Sequence, residues 1–131
     1  MDILSILKSG ESETIEFKAS FGKEVIITLS ALANTKGGKV IVGVDNNGRP
    51  TGIEFGPETE QRYLNEIKVA TYPQIAPHIT LIDIQGKNVL VFEINEYPVK
   101  PIAYKNRYYK RVKNSTTCFP WRKSSIFSNR A

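Results

Sequence analysis

Polar and apolar residues change rhythm several times along this chain, and each change marks an element. Ile3-Leu-Ser-Ile-Leu-Lys8 clusters like one or two helical turns, ended by Gly10. Thr14-Ile-Glu-Phe-Lys18 alternates strictly, the period of a half-buried strand, with Ile15 and Phe17 on one face and Glu16 and Lys18 on the other. From Gly22 to Ala33 the period lengthens to that of a helix. Val25, Leu29 and Leu32 make its apolar stripe, widened by Ile26 and Ala33. Asn34-Thr-Lys-Gly37-Gly38 stops it, with glycine as a left-handed C-cap and the Asn34 side chain as a helix cap.

Lys39-Val-Ile-Val-Gly-Val44 is short and β-branched, a buried strand. Residues 45–52, DNNGRPTG, are rich in hairpin residues, and Asn47-Gly48 suits positive φ, so Thr51 to Phe55 is expected to return as a short strand. Thr59 to Ala70 reads as a second helix, with Tyr63, Ile67 and Ala70 on one face and Leu64 beside them. After Tyr72-Pro73 and Ala76-Pro77, residues 78–84 and 88–94 form two strands joined at Gln85-Gly86-Lys87. Residues 102–105 and 107–112 form a further short pair. In the latter strand, alternation puts Arg107, Tyr109 and Arg111 on one face and Tyr108, Lys110 and Val112 on the other.

The fold class that follows is α+β: a largely antiparallel mixed sheet with two main helices. Periodicity fades after Asn114, so residues 1–117 are expected to be the domain and 118–131 a basic, flexible tail. A chain of 131 residues fits one domain and is long enough to bury roughly two-thirds of its unfolded surface. The unit has the look of an N-terminal domain excised from a longer protein.

Charge changes the picture. Residues 1–96 hold nine Lys/Arg against thirteen Asp/Glu, a net of −4, while residues 97–131 hold nine Lys/Arg and no acid, a net of +9. A segregated basic block points to a polyanion, nucleic acid before an anionic membrane. Tyr104, Tyr108, Tyr109, Phe119 and Trp121 interleave the cations, so rings that stack bases alternate with charges that hold phosphates. No apolar run is long enough to span a bilayer, and the N-terminus lacks a signal-peptide pattern, so the expected address is cytoplasmic, without a membrane partner.

Other chemistries find little support. The single Cys118 excludes an internal disulfide, and the single His78 has no visible triad partner. Gly37-Gly38-Lys39-Val40 lacks the spacing and the hydroxyl of a nucleotide-binding P-loop.

The order of "IEFK", "LSALANTKGGKVIVGVDNNGRPTGI", Val99-Lys100-Pro101 and "YYKRVKNST" resembles the Schlafen/AlbA-like domain family over about residues 8–117. The resemblance implies the Schlafen AlbA-like fold and a nucleic-acid-binding role in a transcriptional regulator. A divergent ATPase label has also been attached to the family, so an ATP-binding or interaction domain is a weaker alternative. In some Schlafen members the resemblance further implies a metal-dependent endoribonuclease with three acids. Glu11 and Glu16 match its spaced pair, and the third position falls on Asn46, with Asp45 immediately before it. An Mg²⁺ or Mn²⁺ site needs converging hard oxygen ligands, and asparagine brings no charge.

Two functions are therefore carried forward. The first is a non-catalytic nucleic-acid-binding module, for DNA or RNA, in which Lys100, Lys105, Arg107, Tyr109, Lys110, Arg111 and Lys113 make the contacts and no cofactor is needed. The second is a nuclease with Glu11, Glu16, Asp45 and Asn46 at its centre and Mg²⁺ or Mn²⁺ held by Glu11, Glu16 and Asp45. The balance favours binding over catalysis. An exposed sheet edge leaves room for a homodimer.

Overall fold

A computed structural model describes residues 2–120. In chain order the elements are α1 (Ile3–Ser9), β1 (Ile15–Lys18), α2 (Lys23–Ala33), β2 (Gly38–Val42), α3 (Thr59–Ala70), β3 (Thr71–Tyr72), β4 (His78–Ile84), β5 (Lys87–Ile94), β6 (Ala103–Tyr104), β7 (Arg107–Val112) and β8 (Ser115–Phe119). The expected α+β class holds. The strands divide into two four-stranded sheets, ordered β1-β2-β5-β4 and β3-β6-β7-β8. All pairings are antiparallel except β1 with β2, which run parallel as the intervening α2 crossover allows.

The first sheet is buried on both faces. Val40, Val42, Leu90, Phe92 and Ile94 pack with Val25, Leu29 and Leu32 of α2 and Ile67 of α3. On the other face Phe17, Ile41, Val89, Val91 and Ile84 pack with Ile6 and Leu7 of α1. This two-sided burial explains why Lys39–Val44 reads as an uninterrupted apolar run rather than an alternating one. The second sheet lays β6 and β7 against α2, so that helix is almost wholly enclosed from Val25 to Ala33.

Three expectations change. Thr51–Phe55 is extended coil, tied by an isolated bridge between Val44 and Pro50 and by Ile53 N–H donating to the Asn88 carbonyl at 3.0 Å. Residues 48–57 hold two prolines and three glycines, residue types that weaken or interrupt a strand. Residues 115–119 form β8, pairing with β7 from Ser115↔Val112 to Phe119↔Tyr108, so the sheet runs past Thr117 and takes Cys118 into a strand. Ser-Thr-Thr-Cys supplies β-branched residues but no apolar alternation, because one face is solvated. The expected tail from 121 onward lies outside the described residues.

Gly37 and Gly38 do more than cap a helix. Asn34 is the C-cap in right-handed geometry, and Gly37, at φ 76°, donates its N–H to the Leu32 carbonyl at 2.7 Å. A Cβ on Gly37 would meet the Ile94 carbonyl at 2.7 Å, and one on Gly38 would strike the Thr14 carbonyl. The chain here threads between β1 and β5 with no room for a side chain.

Candidate nucleic-acid interface

The alternation expected along β7 holds in part: Tyr109 packs against the core, Arg111 is buried, and Lys110 and Val112 are exposed, whereas Arg107, expected on the face of Tyr109 and Arg111, is exposed at the start of the strand. Arg111 is 3% exposed and has no surface left for a ligand. Its Nη2 donates to the Ser12 carbonyl at 2.9 Å and the Ile15 carbonyl at 3.1 Å, and its Nε to the Glu13 carbonyl at 3.2 Å. Nη1 donates to Thr116 Oγ1 at 3.0 Å and pairs with Glu16 Oε1 at 2.6 Å. Tyr109 packs edge-on to Tyr104 beside the core. Lys100 pairs with Glu96 at 2.9 Å and is largely covered.

The remaining cations of the set behave differently. Lys105, Arg107, Lys110 and Lys113 are exposed, and among the described residues none has an ion-pair partner. Lys105 and Lys113 sit in the β6–β7 and β7–β8 turns at φ 45° and 55°, positions that throw their side chains outward. Lys110 lies over the Phe119 ring at 5.2 Å and Lys105 over Tyr104 at 5.6 Å, so each cation is set beside an aromatic face. No acid occurs between residues 97 and 120, so this hairpin surface has a single sign of charge.

The acids expected of a nuclease are split between two places. Glu11 and Glu16 are neighbours, and Glu11 Oε2 accepts the Phe17 N–H at 2.9 Å. Burial and the neighbouring Glu11 push the Glu16 carboxyl above the usual carboxylate range, although the Arg111 guanidinium pulls the other way. Lys18 lies 3.8 Å from Glu16 and 3.3 Å from Glu24, and these groups open on a polar cleft of about 370 Å³ shared with Thr28 and Thr116.

Asp45 is elsewhere. Its Oδ1 accepts the N–H groups of Asn47 and Arg49, both at 2.9 Å, so its carboxylate builds the turn, and Asn46 is exposed on that turn. No group of three His, Cys, Asp or Glu side chains able to hold a metal ion occurs among the described residues. The Mg²⁺ or Mn²⁺ implied by nuclease relatives therefore does not fit: the charge beside Glu16 is supplied by Arg111, and the third acid caps a turn.

Sequence reasoning missed the residues that attach the second sheet. Asn34, 8% exposed, donates from Nδ2 to the Ile102 and Tyr109 carbonyls, both at 2.9 Å, and accepts the Ile102 N–H at 2.7 Å. Thr35 Oγ1 accepts the Arg111 N–H at 3.0 Å. A helix cap was the expected use of Asn34; its side chain instead holds the backbone of Ile102, just before β6, and of Tyr109 in β7. Only its place at the end of an otherwise apolar stripe hinted at burial.

These features define a class: a two-sheet α+β domain with a basic hairpin surface and an internally neutralised carboxylate pair. The chain belongs to the Schlafen AlbA_2 domain family, whose profile matches residues 11–119. No curated protein matches it significantly. Among solved structures it is similar to the N-terminal domain of a Nitrosomonas europaea protein named as related to the ATP-dependent DNA helicase RecG, at 27% identity and TM-score 0.69, covering 95% of each chain. It is also similar in fold to the DIP2311 protein of Corynebacterium diphtheriae, at 21% identity and TM-score 0.70 over 82% of this chain. It spans 22% of that longer protein. No helix among the described residues is long and apolar enough to cross a membrane.

Proposed function

We propose that this domain binds nucleic acid, serving as the nucleic-acid-contacting module of a larger regulator. The observation that carries the reading is the hairpin surface of β6, β7 and β8. Lys105, Arg107, Lys110 and Lys113 stand exposed and unpaired there, with no acid between residues 97 and 120. Those four hold phosphates, and their aromatic neighbours stiffen the surface. Arg111, Tyr109 and Lys100 support it from within. The family and the RecG-related likeness agree with this use.

Polyphosphate contacts release counterions, so log K falls by about 0.9 per contacted phosphate for each log unit of salt on duplex DNA. Fluorescence anisotropy with labelled duplex and single-stranded DNA and RNA, titrated at several salt concentrations, tests this. Lys110→Ala and Lys113→Ala should each lower the slope by roughly one contact and leave the thermal midpoint unchanged. Absence of binding at low salt, or a slope indifferent to all four substitutions, would sink the reading.

A further inference from the structure

The two edges of the first sheet are finished in opposite ways. At β1 the outward backbone groups are closed by side chains: Phe17 N–H goes to Glu11, and the Ile15 carbonyl accepts from Arg111. At the other edge, β4 runs seven residues in unbroken register with β5. It contains no proline, no lysine and no bulge, the usual devices that blunt an edge. Among the described residues its outward N–H and C=O groups meet no backbone or side-chain partner. Three of its seven side chains, Ile79, Leu81 and Ile82, are apolar and only partly covered, and Leu81 is 43% exposed.

We propose that β4 is the docking edge for a second copy of this chain. The partner's β4 adds antiparallel, giving a continuous eight-stranded sheet about a two-fold axis at Leu81. The self-complementarity of the strand is what favours a second copy over another peptide. Two-fold symmetry in an antiparallel pair requires one residue to face itself. With Leu81 at the axis all seven residues find partners, the largest overlap the strand allows. Leu81 then meets Leu81, Thr80 meets Ile82, Ile79 meets Asp83 and His78 meets Ile84, so no like charges are opposed. The same register joins the α2-covered face of one sheet to that of the other. This inference is independent of the basic hairpin and stands or falls without it.

Light scattering and sedimentation on the full chain, from about 1 µM to about 1 mM, test it in the range expected of a small edge-to-edge interface. The mass should rise from 14.7 kDa toward twice that value. Leu81→Lys places two cations face to face and should weaken the dimer at least tenfold while circular dichroism and melting stay as in the parent. Mixing Leu81→Lys with Leu81→Glu should restore a mixed pair, an outcome that misfolding cannot produce. Should either variant fail to fold, Thr80→Lys, on the opposite face of the strand, sets a cation against Ile82 of the second copy and should weaken the dimer likewise. A monomer throughout, a dimer indifferent to these substitutions, or growth beyond two copies overturns the proposal.

Discussion

Replacing Arg111 by methionine keeps most of the apolar stem and removes the guanidinium. The structure says what then loses a donor: the carbonyls of Ser12 and Glu13, the Thr116 hydroxyl and the Glu16 carboxylate, while the Ile15 carbonyl keeps the Ser12 N–H at 2.9 Å. The Arg111 side chain is 1% exposed, so little water reaches the carbonyls it leaves, although Glu16 and Thr116 border the polar cleft. Deleting one partner of a buried ion pair costs about 3–5 kcal/mol, and one abandoned buried acceptor about 1–3 kcal/mol. The contributions share one cavity and do not add, so about 3–5 kcal/mol is the expected total. With a slope of about 1–3 kcal/mol per molar urea, the midpoint should fall by roughly 2 M. Urea titration followed by circular dichroism reads this directly. Arg111→Lys should recover little, since an ammonium cannot reach three carbonyls and a carboxylate in one plane. Lys110→Met, one residue away but solvent-facing, should stay within about 0.5 kcal/mol of the parent. A loss below about 1 kcal/mol for Arg111→Met would refute the view that this arginine is structural.

Further outcomes follow from the neighbouring groups. Asn34→Ala leaves the Ile102 carbonyl and N–H and the Tyr109 carbonyl without their partner in a buried position, and should cost about 2–4 kcal/mol in the same urea assay, with the loss of β7 amide protection preceding global unfolding. The raised carboxyl of Glu16 binds a proton more readily in the folded chain than in the unfolded one. Its contribution to stability is therefore fully present below the ordinary carboxylate range and is lost as pH rises through the folded value. Glu93 is the counterpart: the Lys39 hydrogen bond holds its carboxyl low, so its contribution is present above the ordinary range and lost on acidification. Carbon-detected NMR titration of the two side chains should place Glu16 above 4.5 and Glu93 below it; the reverse order would contradict the geometry.

Much of the fold was legible because its signals are local. Val25, Leu29 and Leu32 announce α2, and the β-branched run before Gly43 announces β2. The second sheet was harder. Its strands β3 and β6 have two residues each, too short for a period, and β8 is a polar strand with one solvated face. The site was legible by halves. Charge segregation pointed to the β6–β8 hairpin, and alternation separated Tyr109 and Arg111 from Lys110 and Val112 but not Arg107, and alternation alone does not say which face meets the helix. Arg111 therefore looked like a phosphate ligand when it is the interior cation, because its partners, Ser12 to Glu16, lie ninety-five or more positions away in the chain. Asp45 lies beyond the end of β2, and the parallel register of β1 sets Glu16 beside Val40, five residues before Asp45.

The closure of β1 by Arg111 also sets a limit on growth. A sheet with one open edge can join one partner and then has nothing further to offer, so assembly stops at two. A sheet open at both ends has no such stopping rule and extends copy by copy into a filament. By that arithmetic, the side chain that neutralises Glu16 would also keep the proposed pair finite. A chain ending before β7 would be two-ended, with the arginine that should terminate it missing.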